Sequence, residues 1–155
     1  MKYMIKIMVI LGMFITTTVL SIVEAHAQRA TTGLDSPWKN DQLMQTQKLA
    51  SLISKNSKVT IFNIGSVQDI KSAVHVGAAS EQASLDNLGR LAGKFPKSGQ
   101  TVLYCGCCPM EKCPNIRPAF NLLKSRGFTN LYVLDIPTNL RKDWIDKGFP
   151  LQKKD

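Results

Sequence analysis

Apolar positions recur in two ways along this chain, at helical spacing in some stretches and as short unbroken runs in others. "NDQLMQTQKLASLISK" carries Leu43, Met44, Leu49, Leu52 and Ile53 near helical spacing, which predicts a helix with Asn40 or Asp41 as its N-cap. "KVTIFNIG" predicts a buried strand ending at Gly65. "SVQDIKSA" predicts a short helix, and "VHVGAAS" a short strand or turn carrying His75 and Gly77. "SLDNLGRLAGKF" predicts a second amphipathic helix with Ser84 as its cap, ended by Gly93, Pro96 and Gly99. "GQTVLYC" predicts the clearest strand, Thr101 to Cys105. "RPAFNLLKSRGF" predicts a helix starting near Arg117, with Pro118 in its first turn and Gly127 at its C-terminal cap. "TNLYVLD" predicts a strand, and "NLRKDWIDKGFP" a closing helix capped around Gly148. Strands alternating with helices imply an α/β class, a mainly parallel central sheet flanked by helices.

The first residues follow a different pattern. Lys2 and Lys6 precede an apolar run from Ile7 to Val23, and Ala25-His26-Ala27 supplies a small-x-small site. This layout predicts a signal peptide over residues 1–27, cleaved after Ala27, and a protein that is periplasmic or secreted. An uncleaved anchor is the other reading, since the run is just long enough to span a bilayer. Thr16, Thr17 and Thr18 weaken the run and favour cleavage, so no membrane contact is expected of the mature chain. Residues 28–39 read as a flexible, turn-rich segment, and 40–155 as one domain.

The formal charge of the 155 residues is +9, and loss of Lys2, Lys6 and Glu24 leaves +8. Such a balance attracts anions. The cations are scattered with no basic run and no interleaved aromatics, which argues against nucleic acid and leaves small anionic substrates. The oligomeric state has no signature here.

All four cysteines, Cys105, Cys107, Cys108 and Cys113, fall in the stretch "YCGCCPMEKCPNIRP". Outside the cytosol thiols oxidise, but a disulfide here would close only a small loop and stabilise little. Three chemistries suit the cluster. Four thiolates could hold zinc or copper(I), although C-x-C-C-x4-C is not the paired knuckle of structural zinc sites. Cys105-Gly106-Cys107-Cys108 is also a C-x-x-C, which suits thiol–disulfide exchange; Pro109 directly after it, and a helix rather than a hairpin after Pro137, fit a thioredoxin fold poorly. The third option is a nucleophile with helpers. Cys105 ends a strand where parallel sheets bind ligands, and loop amides with a following helix N-terminus would favour its thiolate. A Cys-x5-Arg phosphatase loop fails on counting, because Arg117 is too far from Cys105 and too near Cys113.

The third option gains from a resemblance. "VTIFNIG", "AVHVGAA" with His75, Gly77 and Ala78, "TVLYC", "RPAFNLLKSRGFTNLYVLD" and "WIDKGFPL" with Trp144, Gly148 and Pro150 follow the order and spacing of rhodanese-like domains. The chain therefore resembles that family from its first helix to Leu151. It departs in carrying Asn63 and Gly65 where the family has an Asp and an Arg, Val76 for a proline, and a longer active loop with three further cysteines. The resemblance implies sulfur transfer through a persulfide on Cys105, with a small anionic sulfur compound such as thiosulfate as donor and a thiol as acceptor. Cys107, Cys108 and Cys113 are then resolving or redox thiols, and no cofactor is expected. Lys112 and Arg117 are candidate substrate contacts or else solvated loop charges. His75 reads as a structural histidine, Trp144 and Phe149 as packing residues, and Trp38 as a cover on one edge.

Overall fold

Short runs of β-branched and aromatic residues pair into one sheet in the computed structural model, which describes residues 37–153. The expected leader and most of the segment after it lie outside the described residues. The strands are β1 (Leu43–Gln45), β2 (Thr60–Asn63), β3 (Ala73–His75), β4 (Thr101–Tyr104) and β5 (Leu131–Asp135). Their order is β1-β5-β4-β2-β3, and every pair is parallel. Three helices join them: α1 (Thr46–Ser54), α2 (Gln82–Ala92) and α3 (Ile116–Ser125). The class is α/β with an all-parallel central sheet, the architecture expected of a rhodanese-like domain.

Alternation along the strands divides the core between the two faces. Phe62, Leu103 and Val133 are in register and pack on Leu88 and Ala92 of α2 and on Ala119, Phe120 and Leu123 of α3. Ile61, Val102, Tyr104 and Leu134 point the other way, onto Leu49, Ala50 and Ile53 of α1 and the buried Trp144. Residues of β2, β4 and β5 are thus largely buried on both faces, as parallel strands require.

Four local expectations are corrected. Leu43 and Met44 belong to edge strand β1 rather than a helix, because they pair with Val133 and Leu134; helix α1 begins only at Thr46. The stretch after Gly65 is irregular rather than helical. There the Asn63 side chain donates to the Val67 carbonyl at 2.8 Å, and Ile70 bridges to Leu151. Helix α2 starts at Gln82, which places Ser84 inside it and Glu81 at the cap position. The closing helix is a single wide turn, Arg141–Ile145, in which the Asp146 amide donates to the Arg141 carbonyl at 2.8 Å. The Asp143 carboxylate accepts from the amides of Thr138 and Asn139, and the Trp144 indole donates to the Pro150 carbonyl. Satisfying those groups fixes the turn and leaves no length for a regular helix. Strand β4 and helix α3 match expectation to within one residue, and Gly127 takes the left-handed conformation (φ 87°) of a helix C-terminal cap.

Candidate functional site

Cys105 follows the last residue of β4, the central strand, so the sheet sets its position. It is 1 % exposed. Space for it comes from the segment just after β2: a Cβ at Gly65 would lie 2.7 Å from the Cys105 Sγ and 2.8 Å from its carbonyl oxygen. The glycine standing at the end of the early strand is therefore what lets the thiol fit.

Three other groups converge on that sulfur. The Cys107 Sγ lies 3.2 Å away. The Asn115 Nδ2 donates to the Cys105 Sγ at 3.1 Å. Asn115 is itself buried, and its Oδ1 accepts from the Ser80 amide at 2.8 Å, which orients the amide so that its NH2 faces the sulfur. Cys113 is carried back toward Cys105 by a 3-10 turn, Met110–Lys112, anchored by the Met110 amide on the Ile136 carbonyl. The Sγ atoms of Cys105, Cys107 and Cys113 all lie within 4.8 Å of one another. Cys108 stands outside that trio, with its Sγ 3.4 Å from that of Cys107. All four cysteines are free thiols.

The donors decide the protonation states. The Cys113 thiol, the Asn115 amide and the Cys107 backbone and side chain all donate to Cys105; together they outweigh burial and bring its pKa down from 9.0 to about 5. Cys105 is a thiolate at neutral pH. Partial burial and then contact with Cys105 push the Cys107 thiol up to about 12. Since residue 107 is exposed, the contact is the sturdier of these causes. Cys113 is pushed up as well, first by its hydrogen bond to Cys105 and then by burial. One sulfur thus holds the negative charge and two neighbours hold their protons for it.

No cation contributes to this depression. Lys112 is exposed, and Arg117 is exposed with its guanidinium 5.4 Å from the centre of the Trp38 ring. An open cleft of ≈ 450 Å³ adjoins the cluster, bounded by Val67, Gln68, Gly106, Cys107, Asn139 and Arg141. Arg141 is exposed and supplies positive charge there. His75 belongs to a separate network, with its Nδ1 3.0 Å from the Asp69 Oδ1, and is half exposed. Asn115 and Arg141 were not singled out from the sequence. The only sequence signal for Asn115 is a polar residue placed directly before an amphipathic helix, and Arg141 lies in a segment expected to be helical.

No protein-family profile matches the chain, and no curated protein matches it. Solved structures do. A complex of an EanB variant with hercynine superposes with a TM-score of 0.52 at 21 % identity, over 75 % of this chain and 29 % of that one. An EanB form carrying a cysteine persulfide, with ergothioneine in a tetrahedral intermediate state, superposes with a TM-score of 0.51 at 22 % identity, over 71 % of this chain and 27 % of that one. The chain spans less than a third of the length of these neighbours. At such identity the likeness concerns the arrangement of sheet and helices, which this chain shares with EanB.

Proposed function

We propose that the chain is an exported rhodanese-like protein that carries sulfane sulfur as a persulfide on Cys105. The observation that carries this reading is a buried thiolate at the carboxyl end of the central strand, with a protonated thiol 3.2 Å away. The persulfide described for EanB, a protein of shared fold, supports it.

The Cys105 thiolate attacks the outer sulfur of a donor such as thiosulfate; the new S–S bond forms as the donor's S–S bond breaks, and sulfite leaves with its electron pair. The persulfide anion keeps the hydrogen bonds from Asn115 and the Cys107 amide. Discharge then takes one of two routes. An external thiolate takes the outer sulfur and frees Cys105. Alternatively Cys107 or Cys113 loses its proton and attacks the Cys105 Sγ, giving a disulfide and hydrosulfide, and an external dithiol reduces the disulfide. Because Cys105 is buried, a donor approaches from the cleft as the Cys107 side chain swings aside, and Arg141 meets its negative charge.

Thiol–disulfide exchange is the second reading, and the same 3.2 Å contact favours it. One experiment separates the two. Reduced, metal-free protein is treated with thiosulfate or polysulfide, alkylated, and mapped by peptide mass. The added sulfur should sit on Cys105 and vanish in Cys105→Ser. Labelling at Cys107 or Cys113 in that variant would move the nucleophile, and no labelling at any cysteine would overturn sulfur transfer in favour of disulfide exchange.

A further inference from the structure

We propose that Cys105, Cys107 and Cys113 together form a three-thiolate site for copper(I). A metal–thiolate bond of about 2.3 Å places three sulfurs roughly 4 Å apart in a trigonal plane around the ion. Here the three Sγ atoms already lie within 4.8 Å of one another, with those of Cys105 and Cys107 3.2 Å apart. Side-chain shifts of about an ångström reach the trigonal spacing, well within rotamer adjustment.

The donor set selects the metal. Every ligand is a soft thiolate, and the one described imidazole, His75, is engaged with Asp69. Thiolate sites take copper(I), zinc or iron–sulfur clusters, and a tetrahedral sulfur set marks zinc or iron. A fourth sulfur is missing from this group. Cys108 touches Cys107 at 3.4 Å but is not part of the mutually close trio. Three soft ligands without a fourth suit copper(I), which is stable at low coordination number.

The surroundings fit an anionic complex. Three thiolates on a monovalent ion carry a net double negative charge. The Asn115 amide, fixed by Ser80, already donates to one of these sulfurs and would orient it as outer partners of metal ligands do. Two ligands are buried and Cys107 is exposed, so copper is reached from one side, by exchange with thiols of a carrier. On binding, Cys107 and Cys113 give their protons to solvent while Cys105 coordinates as the thiolate it already is, and copper stays cuprous, so no electron moves.

This inference uses the same thiols as the sulfur-transfer reading but stands independently of it. The test is an anaerobic titration of the reduced full chain with copper(I) against a chromophoric copper(I) chelator, followed by X-ray absorption. A single copper per chain with only sulfur neighbours in a three-coordinate edge is expected. Cys107→Ser, altered at the exposed ligand, and Cys113→Ser should each weaken binding by more than about 100-fold, beyond the usual loss for an outer partner. Cys108→Ser should bind like the parent. Unchanged affinity in Cys107→Ser, oxygen or nitrogen neighbours in the parent protein, or displacement of copper by equimolar zinc would overturn the site. Absent copper binding with intact persulfide labelling would remove this inference alone; copper binding without labelling would remove the sulfur reading alone.

Discussion

Two polar clusters sit at the carboxyl end of the sheet, on neighbouring strands, and they hold charge by different means. Beyond β4 the negative charge of Cys105 rests among two thiols and a carboxamide, none of them charged. Beyond β2 and β3 the Asp69 carboxylate accepts from the Asn63 Nδ2 at 2.8 Å and pairs with His75, which is 52 % exposed. The second cluster is a conventional surface pair whose function is to shape the loop after Gly65. The first is buried, and burial alone would favour the neutral thiol. What keeps it ionised is the number and aim of its hydrogen-bond donors. A charge held by neutral donors stays available for chemistry, because no counter-ion needs to be displaced when the sulfur is modified.

The contrast can be broken most severely from the segment just after β2. Gly65→Ala inserts a Cβ 2.7 Å from the Cys105 Sγ. The backbone at Gly65 or Cys105 must shift, at about 1–3 kcal/mol, and persulfide labelling should fall to background. Denaturant unfolding together with peptide mapping measures both; a variant that labels at the parent rate would mean the thiol does not need this close contact.

Removing a donor is the next largest change. A hydrogen bond to a charged group contributes about 1.5–3 kcal/mol, so Asn115→Ala should raise the Cys105 pKa by roughly 1–2 units. The pH profile of alkylation by iodoacetamide reads this directly. An unmoved profile would assign the thiolate to Cys113 and Cys107 alone.

Stability should follow the same thiolate. Cys105 titrates near 5 when folded and near 9 when unfolded, so between those values the unfolded chain binds more protons. Its contribution is complete above about pH 9 and disappears as pH falls toward 5, with a slope of at most about 1.4 kcal/mol per pH unit. Above pH 9 the raised values of Cys107 and Cys113 act in the opposite sense, and stability declines as their unfolded-state thiols ionise. Chemical denaturation at several pH values should therefore show a maximum near 9 that flattens on the acid side in Cys105→Ser. A slope unaffected by that substitution would detach stability from the thiolate.

The smallest effects belong to the charged residues. Asp69→Asn should cost no more than about 1 kcal/mol, as exposed pairs do, and should leave the Cys105 alkylation profile in place. Lys112→Ala and Arg117→Ala should leave it in place too, the latter losing only its stacking on Trp38. An upward shift of the profile in any of these would erase the distinction between the two clusters.

The sequence carried the fold further than it carried the site. Thr60–Asn63, Thr101–Tyr104 and Leu131–Asp135 were legible because central parallel strands are unbroken apolar or β-branched runs between turn residues. Leu43–Gln45 was not, since three residues hold no period and their apolar members continue the helical spacing of α1. The Arg141–Ile145 turn was hidden for another reason: its shape comes from the Asp143 carboxylate and the Trp144–Pro150 bond, which are tertiary choices. At the site, the clustering of cysteines and the placement of Cys105 after a strand were plain. Which thiols converge was not, because that depends on the 3-10 turn returning Cys113 and leaving Cys108 aside. Asn115 was missed because a buried donor and an ordinary loop asparagine look alike in a sequence.

The cysteine loop is tied to chain that is made after it. The Leu140 amide donates to the Gly106 carbonyl at 2.8 Å, and the Met110 amide to Ile136 at 3.0 Å. A Cβ at Gly106 would stand 2.8 Å from the Leu140 side chain, so the two segments are in close contact. The thiol centre is therefore completed only after Ile136 and Leu140 have been made. While the chain emerges from its ribosome, the four cysteines are ordinary, mostly protonated thiols. Their surroundings are complete only when Ile136 and Leu140 fold back onto the loop. A nascent chain would thus reach its folded state before it becomes an efficient scavenger of sulfur, oxidant or metal.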